Sequence, residues 1–299
     1  MKVGIAGFGI IGSAFARCFS RSGEIDLYLY DKYKEAYAAP ERFDALNACD
    51  IVFVTVPTPF DKKHRSCDVS AVEDVIRRLE APACIKSTVP PGTTDRLAAT
   101  TGKTLAFSPE FMGESREHRW PEIYSAGFAV FGGHPQACAN ARRAYELSSP
   151  VPLEFVETSA ALAELSKYML NAFLATKVSF MNQFYDIATQ AGLDFEELRT
   201  LFLLDPRIGE SHTIVTRERG FGGKCFPKDL NAMISWASHR GDPRFLRAVA
   251  DYNDAIRRVD GAEVPKTTVR NKAVRIVQAI KSLTRRSRQA PPELISGSE

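Results

Sequence analysis

Apolar and polar positions change their period partway along this chain. Up to about residue 156, short continuous apolar runs alternate with stretches of helical spacing. Residues 2–7 read as a buried strand that enters a glycine turn, and a helix follows through Ala14, Phe15, Ala16 and Cys18. A second strand covers residues 27–30. The third, residues 50–56, is an unbroken apolar run rich in β-branched residues, as expected of a parallel strand covered on both faces. A helix over 69–79, strands over 83–87 and 104–107, and closing strands over 127–131 and 151–156 complete the pattern. Alternation of strand and helix predicts an α/β fold, a Rossmann-type doubly wound sheet spanning residues 1–155.

From residue 159 the spacing becomes helical. Leu162, Leu165, Tyr168, Met169, Phe173, Phe180, Phe184 and Ile187 recur at steps of three and four, which predicts one helix over 159–191. At ~1.5 Å per residue it is about 50 Å long and able to join two domains. Shorter helices are expected over 194–204, 230–238 and 245–259, making residues 156–260 an all-α domain. Residues 267–288 read as a basic helix and 289–299 as disordered, so 261–299 forms a separate tail.

Composition narrows the class without changing this picture. A chain of 299 residues with 44% hydrophobic and 25% charged residues is an ordinary globular protein of two domains. A formal charge of +3 is too small to imply a nucleic-acid partner. No apolar run reaches the ~18 residues of a membrane span. The six cysteines show no CxxC pair and no metal-ligand spacing, and the chain enters its first strand directly, so neither a metal nor a leader is expected. A reducing cytoplasm suits these thiols.

Candidate chemistry begins at the first turn, Gly7-Phe8-Gly9-Ile10-Ile11-Gly12. Between a strand and a helix, Gly7 permits the turn, Gly9 lets a pyrophosphate approach, and Gly12 lets helix pack on strand. Asp31, 19 residues beyond Gly12 at the end of the second strand, stands where an acid bonds a ribose 2′-hydroxyl. That favours NAD over NADP, against the pull of Lys32 and Lys34. Lys167 and Asn171 lie one helical turn apart and share a face, as two ligands of one substrate or as a solvated pair. The stretch Gly220-Phe221-Gly222-Gly223-Lys224-Cys225-Phe226-Pro227-Lys228-Asp229 sets one cysteine among glycines. Lys224, Lys228 and a helix beginning near Pro227 would favour its thiolate. An inert thiol beside a glycine turn is the alternative.

The cysteine stretch resembles the nucleophile loop of the UDP-glucose/GDP-mannose dehydrogenase family. Val56-Pro57-Thr58-Pro59, Ser87-Thr88-Val89-Pro90-Pro91-Gly92-Thr93, Ser108-Pro109-Glu110-Phe111 with Glu114, and Glu164-Leu165-Ser166-Lys167 with Asn171 are similar to other motifs of that family. The resemblance implies a four-electron oxidation of a primary alcohol to a carboxylate, with NAD as cofactor. By it, Cys225 is the nucleophile that carries a thiohemiacetal and then a thioester, and Lys167 and Asn171 stabilise the oxyanion. Thr88 and Asp229 position water, and Glu110 or Glu114 is the base. Ile10, Ile11, Thr58, Pro59, Thr88 and Lys228 join the glycine turn around the cofactor. Phe111, Met112, Gly222, Gly223 and Arg207 face the substrate, Arg207 across the interface of a homodimer.

The chain also departs from the family. Gly113 replaces a larger residue, and residues 212–219 replace a linker containing Pro-Gly. Full-length members continue into a second doubly wound domain, for which the roughly 40 residues after Asp260 are too few, since one βαβ unit needs ~30. The resemblance therefore covers residues 1 to about 260. It leaves open a sugar nucleotide, a nucleoside or another sugar alcohol as substrate. Two rivals stand beside it: a two-electron dehydrogenase of the β-hydroxyacid or 6-phosphogluconate type, and a non-catalytic NAD-binding partner subunit.

Overall fold

A computed structural model describes residues 1–112 and 122–258. Gly113, Glu114 and the expected basic helix and tail lie outside the described residues.

The chain opens with strand β1 (Lys2–Ala6), helix α1 (Ile10–Phe19) and strand β2 (Asp26–Tyr30). After a 3₁₀ turn come α2 (Pro40–Leu46), β3 (Ile51–Val54), a small hairpin of β4 (Phe60–Asp61) and β5 (Ser66–Cys67), and α3 (Ser70–Arg78). Then follow β6 (Ala83–Ile85), α4 (Thr93–Thr101), β7 (Leu105–Phe107), β8 (Phe128–Gly133), α5 (Pro135–Ser148) and β9 (Glu154–Thr158). Seven strands form one sheet in the order β2-β1-β3-β6-β7-β8-β9. Every pairing is parallel except β7 with β8, where the direction reverses.

The continuous apolar runs follow from cover on both faces. Along β3, Ile51 and Phe53 enter one core while Val52 and Val54 enter the other, all at 0% exposure. On the first face α1 and α5 bring Phe15, Phe19 and Tyr145 into an aromatic cluster with Phe53 and Phe131. On the second face Leu46, Val72, Ile76 and Leu97 close the layer.

One expectation needs correction, and two elements had no counterpart in the sequence pattern. Residues 151–153 are not strand: Val151 is half exposed and β9 begins at Glu154. Helix α5 has no counterpart in the sequence reading because its buried face is small, formed by Ala137, Ala141 and Ala144 around Tyr145. The hairpin β4–β5 escapes because two residues per strand carry no period.

Helix α6 (Ala160–Gln190) runs unbroken for 31 residues, followed by α7 (Phe195–Phe202), α8 (Phe226–Ser238) and α9 (Arg244–Arg258). Met1–Ala175 with Gly222–Ala250 forms one compact unit, so α8 belongs with the sheet. The other unit comprises Thr176–Phe221 and the chain from Asp251. Its core is Met181, Ala188 and Phe195 with Tyr185, Leu198 and Phe202 around them. There Arg219, at φ 55, donates to Asn182 Oδ1 (2.8 Å) and Asp186 Oδ1 (2.6 Å), and the Asn253 amide pairs with both backbone groups of Phe221 (2.7 and 3.1 Å).

Within the first unit, Glu164 of α6 caps α4. Fully buried, it accepts from the backbone N–H groups of Gly92 (2.5 Å) and Thr94 (2.9 Å) and from the Thr94 hydroxyl (2.7 Å). Burial nonetheless raises its pKa, with the Thr94 and Gly92 bonds opposing. Glu164→Ala leaves those three donors buried and unmatched and should cost about 3 kcal/mol in urea unfolding. Because the folded pKa is raised, Glu164 contributes fully below the unfolded value of ~4.3, and its contribution declines as pH rises through the raised value. The cost of the substitution should shrink over that window. A cost below a few tenths of a kcal/mol would show that the cap is idle.

Candidate active site

The carboxyl ends of β1, β3, β6 and β7 all open on one edge of the sheet, the edge where ligands of open α/β sheets bind. At β1 the glycine turn is tightly built. Gly7 has φ +98, and a Cβ there would stand 2.8 Å from the Thr55 carbonyl carbon; at Gly12 it would stand 2.0 Å from Gly7 O. Above Gly9 a Cβ would meet nothing within 4 Å, so the backbone is open to a ligand. Ile10, the first residue of α1, is 64% exposed beside it, and Ile11 is half-buried against the core.

Asp31 closes the turn from β2. Its carboxylate accepts from the N–H of Phe8 (2.7 Å) and of Tyr33 (2.9 Å), leaving further lone pairs on both oxygens. Lys34 reaches over the turn to Phe8 O at 2.5 Å, while Lys32 lies 3.9 Å from Asp74. Gly7, Asp31, Lys32, Val56, Pro57 and Asp74 line a groove of about 360 Å³. An open glycine, an acid at the end of the second strand and an adjoining groove fit a dinucleotide. Thr58 is buried with its hydroxyl on Thr88 O (2.8 Å), and Pro59 is exposed beside it.

A second group of side chains gathers where α6 and α8 approach. Cys225 is the N-cap of α8, with Pro227 in the first turn. Its carbonyl accepts from the Asp229 N–H at 2.8 Å, so thiol and carboxylate are one turn apart. Asp229 is 1% exposed; Asn171 of α6 donates to its Oδ2 at 2.5 Å, and the Lys228 ammonium lies 2.5 Å from its Oδ1. Lys228, expected to assist the thiolate or to hold cofactor, is thus paired first with its neighbour. Lys167, one turn before Asn171, is half-buried with its ammonium 5.7 Å from the centre of the Phe111 ring. Desolvation pushes its pKa below the ordinary lysine range; Asp229, Cys225 and Glu110 oppose that, and Lys86 adds to it.

Glu110 is not a solvated charge. It is 9% exposed, its Oε1 accepts from the N–H groups of Phe111 and Met112 (both 2.9 Å), and its Oε2 lies 3.4 Å from the Lys86 ammonium. The sequence reading missed Lys86. The available signal was a lysine directly after a short apolar strand, where another apolar residue was due. Thr88 is half-buried two residues beyond it.

The structure therefore brings Cys225, Lys167, Asn171, Asp229, Glu110 and Phe111 into one neighbourhood of the first unit. Gly222 and Gly223 lead into it, Gly223 at φ 73. Arg207 belongs to the other unit, where its exposed guanidinium is bound to Asp205. Among the described residues no cluster of His, Cys, Asp and Glu could hold a metal ion, and no helix is long and apolar enough to cross a membrane.

The two glycine environments predict opposite outcomes. Gly12→Ala should unfold at markedly lower temperature, because the added carbon collides with backbone. Gly9→Ala should keep the wild-type melting temperature yet weaken NADH binding in a fluorescence titration by roughly tenfold or more. Unchanged binding in Gly9→Ala would remove the turn from the cofactor site.

Comparison with known proteins bears on this arrangement directly. Residues 31–147 match the NAD binding domain of the UDP-glucose/GDP-mannose dehydrogenase family, and residues 161–255 match its central domain. UDP-glucose 6-dehydrogenase YwqF of Bacillus subtilis is 31% identical over 224 residues, covering 70% of this chain and 49% of that protein, so the chain spans about half its length. UDP-glucose 6-dehydrogenase AglM of Haloferax volcanii is 30% identical, covering 85% of this chain and 70% of the relative. The solved UDP-glucose dehydrogenase of Pyrobaculum islandicum superposes with a TM-score of 0.72 at 25% identity, over 85% of this chain and 68% of that one. The first match begins at Asp31, the second contains the α6 pair and the cysteine loop, and with these relatives beside them this chain belongs to the UDP-glucose/GDP-mannose dehydrogenase family.

Proposed function

We propose that this chain oxidises a primary alcohol of a nucleotide sugar to a carboxylate through a thioester on Cys225. One observation carries the reading. A thiol at the N-cap of α8 lies one turn from a buried carboxylate that α6 grips, and close enough to Lys167 to influence its protonation. The names of the relatives supply the substrate class.

The glycine turn and Asp31, with Thr58, Pro59 and Lys228 alongside, would hold NAD, which would accept the hydride of the first oxidation, a fresh NAD replacing the NADH to accept that of the second. The protein supplies the rest. Lys167 and the Asn171 amide aim positive charge at the substrate oxygen as it becomes an alkoxide, then at the tetrahedral adducts. Cys225 adds to the aldehyde carbon, forming the C–S bond while the carbonyl electron pair moves to oxygen. Loss of a second hydride from that carbon leaves the thioester. Water held by Thr88 and Asp229 then attacks, and Glu110 or Glu114 takes its proton. The C–S bond breaks, and the departing thiolate is free for another cycle. Phe111, Met112, Gly222 and Gly223 shape the pocket.

In this reading residues 1–155 hold the cofactor, and the cysteine loop, though it falls within residues 156–260 of the chain, packs with that sheet unit. A homodimer is part of this reading, and α6 supports it: Leu162, Met169, Phe173, Phe180, Phe184 and Ile187 are all exposed and fall within ~60° of one helix face. By the family resemblance, Arg207 would contact the substrate of the second copy. A thiol nucleophile suits the reducing cytoplasm.

Cys225→Ser should retain alcohol oxidation to the aldehyde while carboxylate formation falls on the order of 10³-fold, because serine is hardly ionised at neutral pH. Chromatography of products from UDP-glucose tests this, and carboxylate at the wild-type rate would make Cys225 structural. The lowered pKa of Lys167 sets a second expectation. Its positive charge disappears as pH rises through that lowered value, so kcat should decline at a pH below the ordinary lysine range of ~10.4. In Lys167→Arg the decline should move to higher pH; an unmoved profile would detach it from Lys167.

A further inference from the structure

We propose that Lys86 is a positioning residue for thioester hydrolysis, the buried counter-ion and mount that holds the Glu110 carboxylate at the site. The proposal rests on the thioester reading with Glu110 as the base, and goes beyond it by naming what holds that carboxylate.

Lys86 occupies a core position where a cation is costly. Lys86 follows β6 directly, its side chain is 1% exposed, and its ammonium lies 5.1 Å from the centre of the Phe15 ring and 5.8 Å from that of Tyr145. An aliphatic side chain would fill this layer without any desolvation cost. Instead the ammonium donates to Ser108 Oγ (3.1 Å), Pro109 O (3.0 Å) and Tyr145 Oη (3.2 Å), with Glu110 Oε2 at 3.4 Å. Three of these four partners are consecutive residues of the loop after β7. One side chain therefore fixes the path of the loop and the charge at its end.

Glu110 then faces two cations. Lys86 lies 3.4 Å from it at the end of β6, inside the core, with Tyr145 of α5 on the same ammonium, and Lys167 of α6 acts on it electrostatically, as it does on Cys225. Because Lys86 compensates the carboxylate directly, Lys167 is not its only counter-ion and stays available to the substrate oxygen. Removing Lys86 should therefore harm deacylation more than substrate binding.

The test compares Lys86→Met, Glu110→Gln and the double variant. Without substrate, melting temperatures are measured at pH 5.5 and pH 8. Lys86→Met should lose several degrees more at pH 8 than at pH 5.5, because a buried carboxylate without its cation destabilises the fold once it ionises. That extra loss should vanish in the double variant. If Lys86→Met fails to fold, recovery of folding in the double variant gives the same support. Equal losses at both pH values and in both backgrounds, or no folding of the double variant, would reduce Lys86 to packing.

The second arm uses UDP-glucose and NAD, with acid quench and intact-mass measurement. Lys86→Met should accumulate acylated Cys225 while kcat falls ~10²-fold and KM changes little, as expected for impaired general-base action. Adding the substitution to Glu110→Gln should cost less than twofold more. A KM effect without acyl-enzyme would overturn the hydrolytic role. If no protein, wild type included, shows acylation while the pH-dependent coupling is present, the ion pair stands and the hydrolytic role falls with the thioester reading.

Discussion

Asp229 is the constraint on which the site depends. A carboxylate 1% exposed must find donors inside the protein or raise the energy of the fold. Asp229 accepts one hydrogen bond from Asn171 on α6 and is ion-paired with the ammonium of Lys228 on its own helix, while its backbone N–H closes the first turn of α8 on Cys225. Breaking the contact to α6 would leave a buried charge half-compensated. The same bond that stabilises the helix pair therefore sets the thiol beside Lys167.

A second buried charge, on Glu110, is managed from the other side. The sheet brings the β6 and β7 ends together by parallel pairing in register, Ala83 with Leu105 and Ile85 with Phe107, which puts Lys86 beside Ser108. Both ionic centres are thus products of ordinary packing: the first of two helices, the second of two strands. Between them stands Lys167, whose burial lowers its pKa while the carboxylates and the thiol oppose the shift. An ammonium in that balance is a stronger electrostatic partner for a developing oxyanion than one in water.

Much of this was legible in the residues. Cover on both faces of the sheet leaves continuous apolar runs, so β1, β2, β3, β6 and β7 could be read within a few residues. Apolar steps of three and four marked α6 almost to its ends. The glycine turn and the cysteine loop announced themselves because glycine is used where backbone must come close. What escaped did so for physical reasons. The buried face of α5 is mostly alanine, which carries little hydrophobic contrast. The strands of the small hairpin are too short for a period. Strand β9 is half exposed, so Val151 drew its predicted start too early. A single lysine after β6 could not show whom it would meet, since its partners lie 22 to 59 positions away. Nor could the chain order reveal that α8 packs with the sheet unit rather than with the segment before it.

The central claim is that one active site removes four electrons from one alcohol, with Cys225 holding the intermediate between the two oxidations. Counting NADH formed against UDP-glucose consumed, with limiting substrate and excess NAD, tests it most directly. The account predicts two NADH and one carboxylate for each alcohol. One NADH with an aldehyde or ketone as the final product would contradict it.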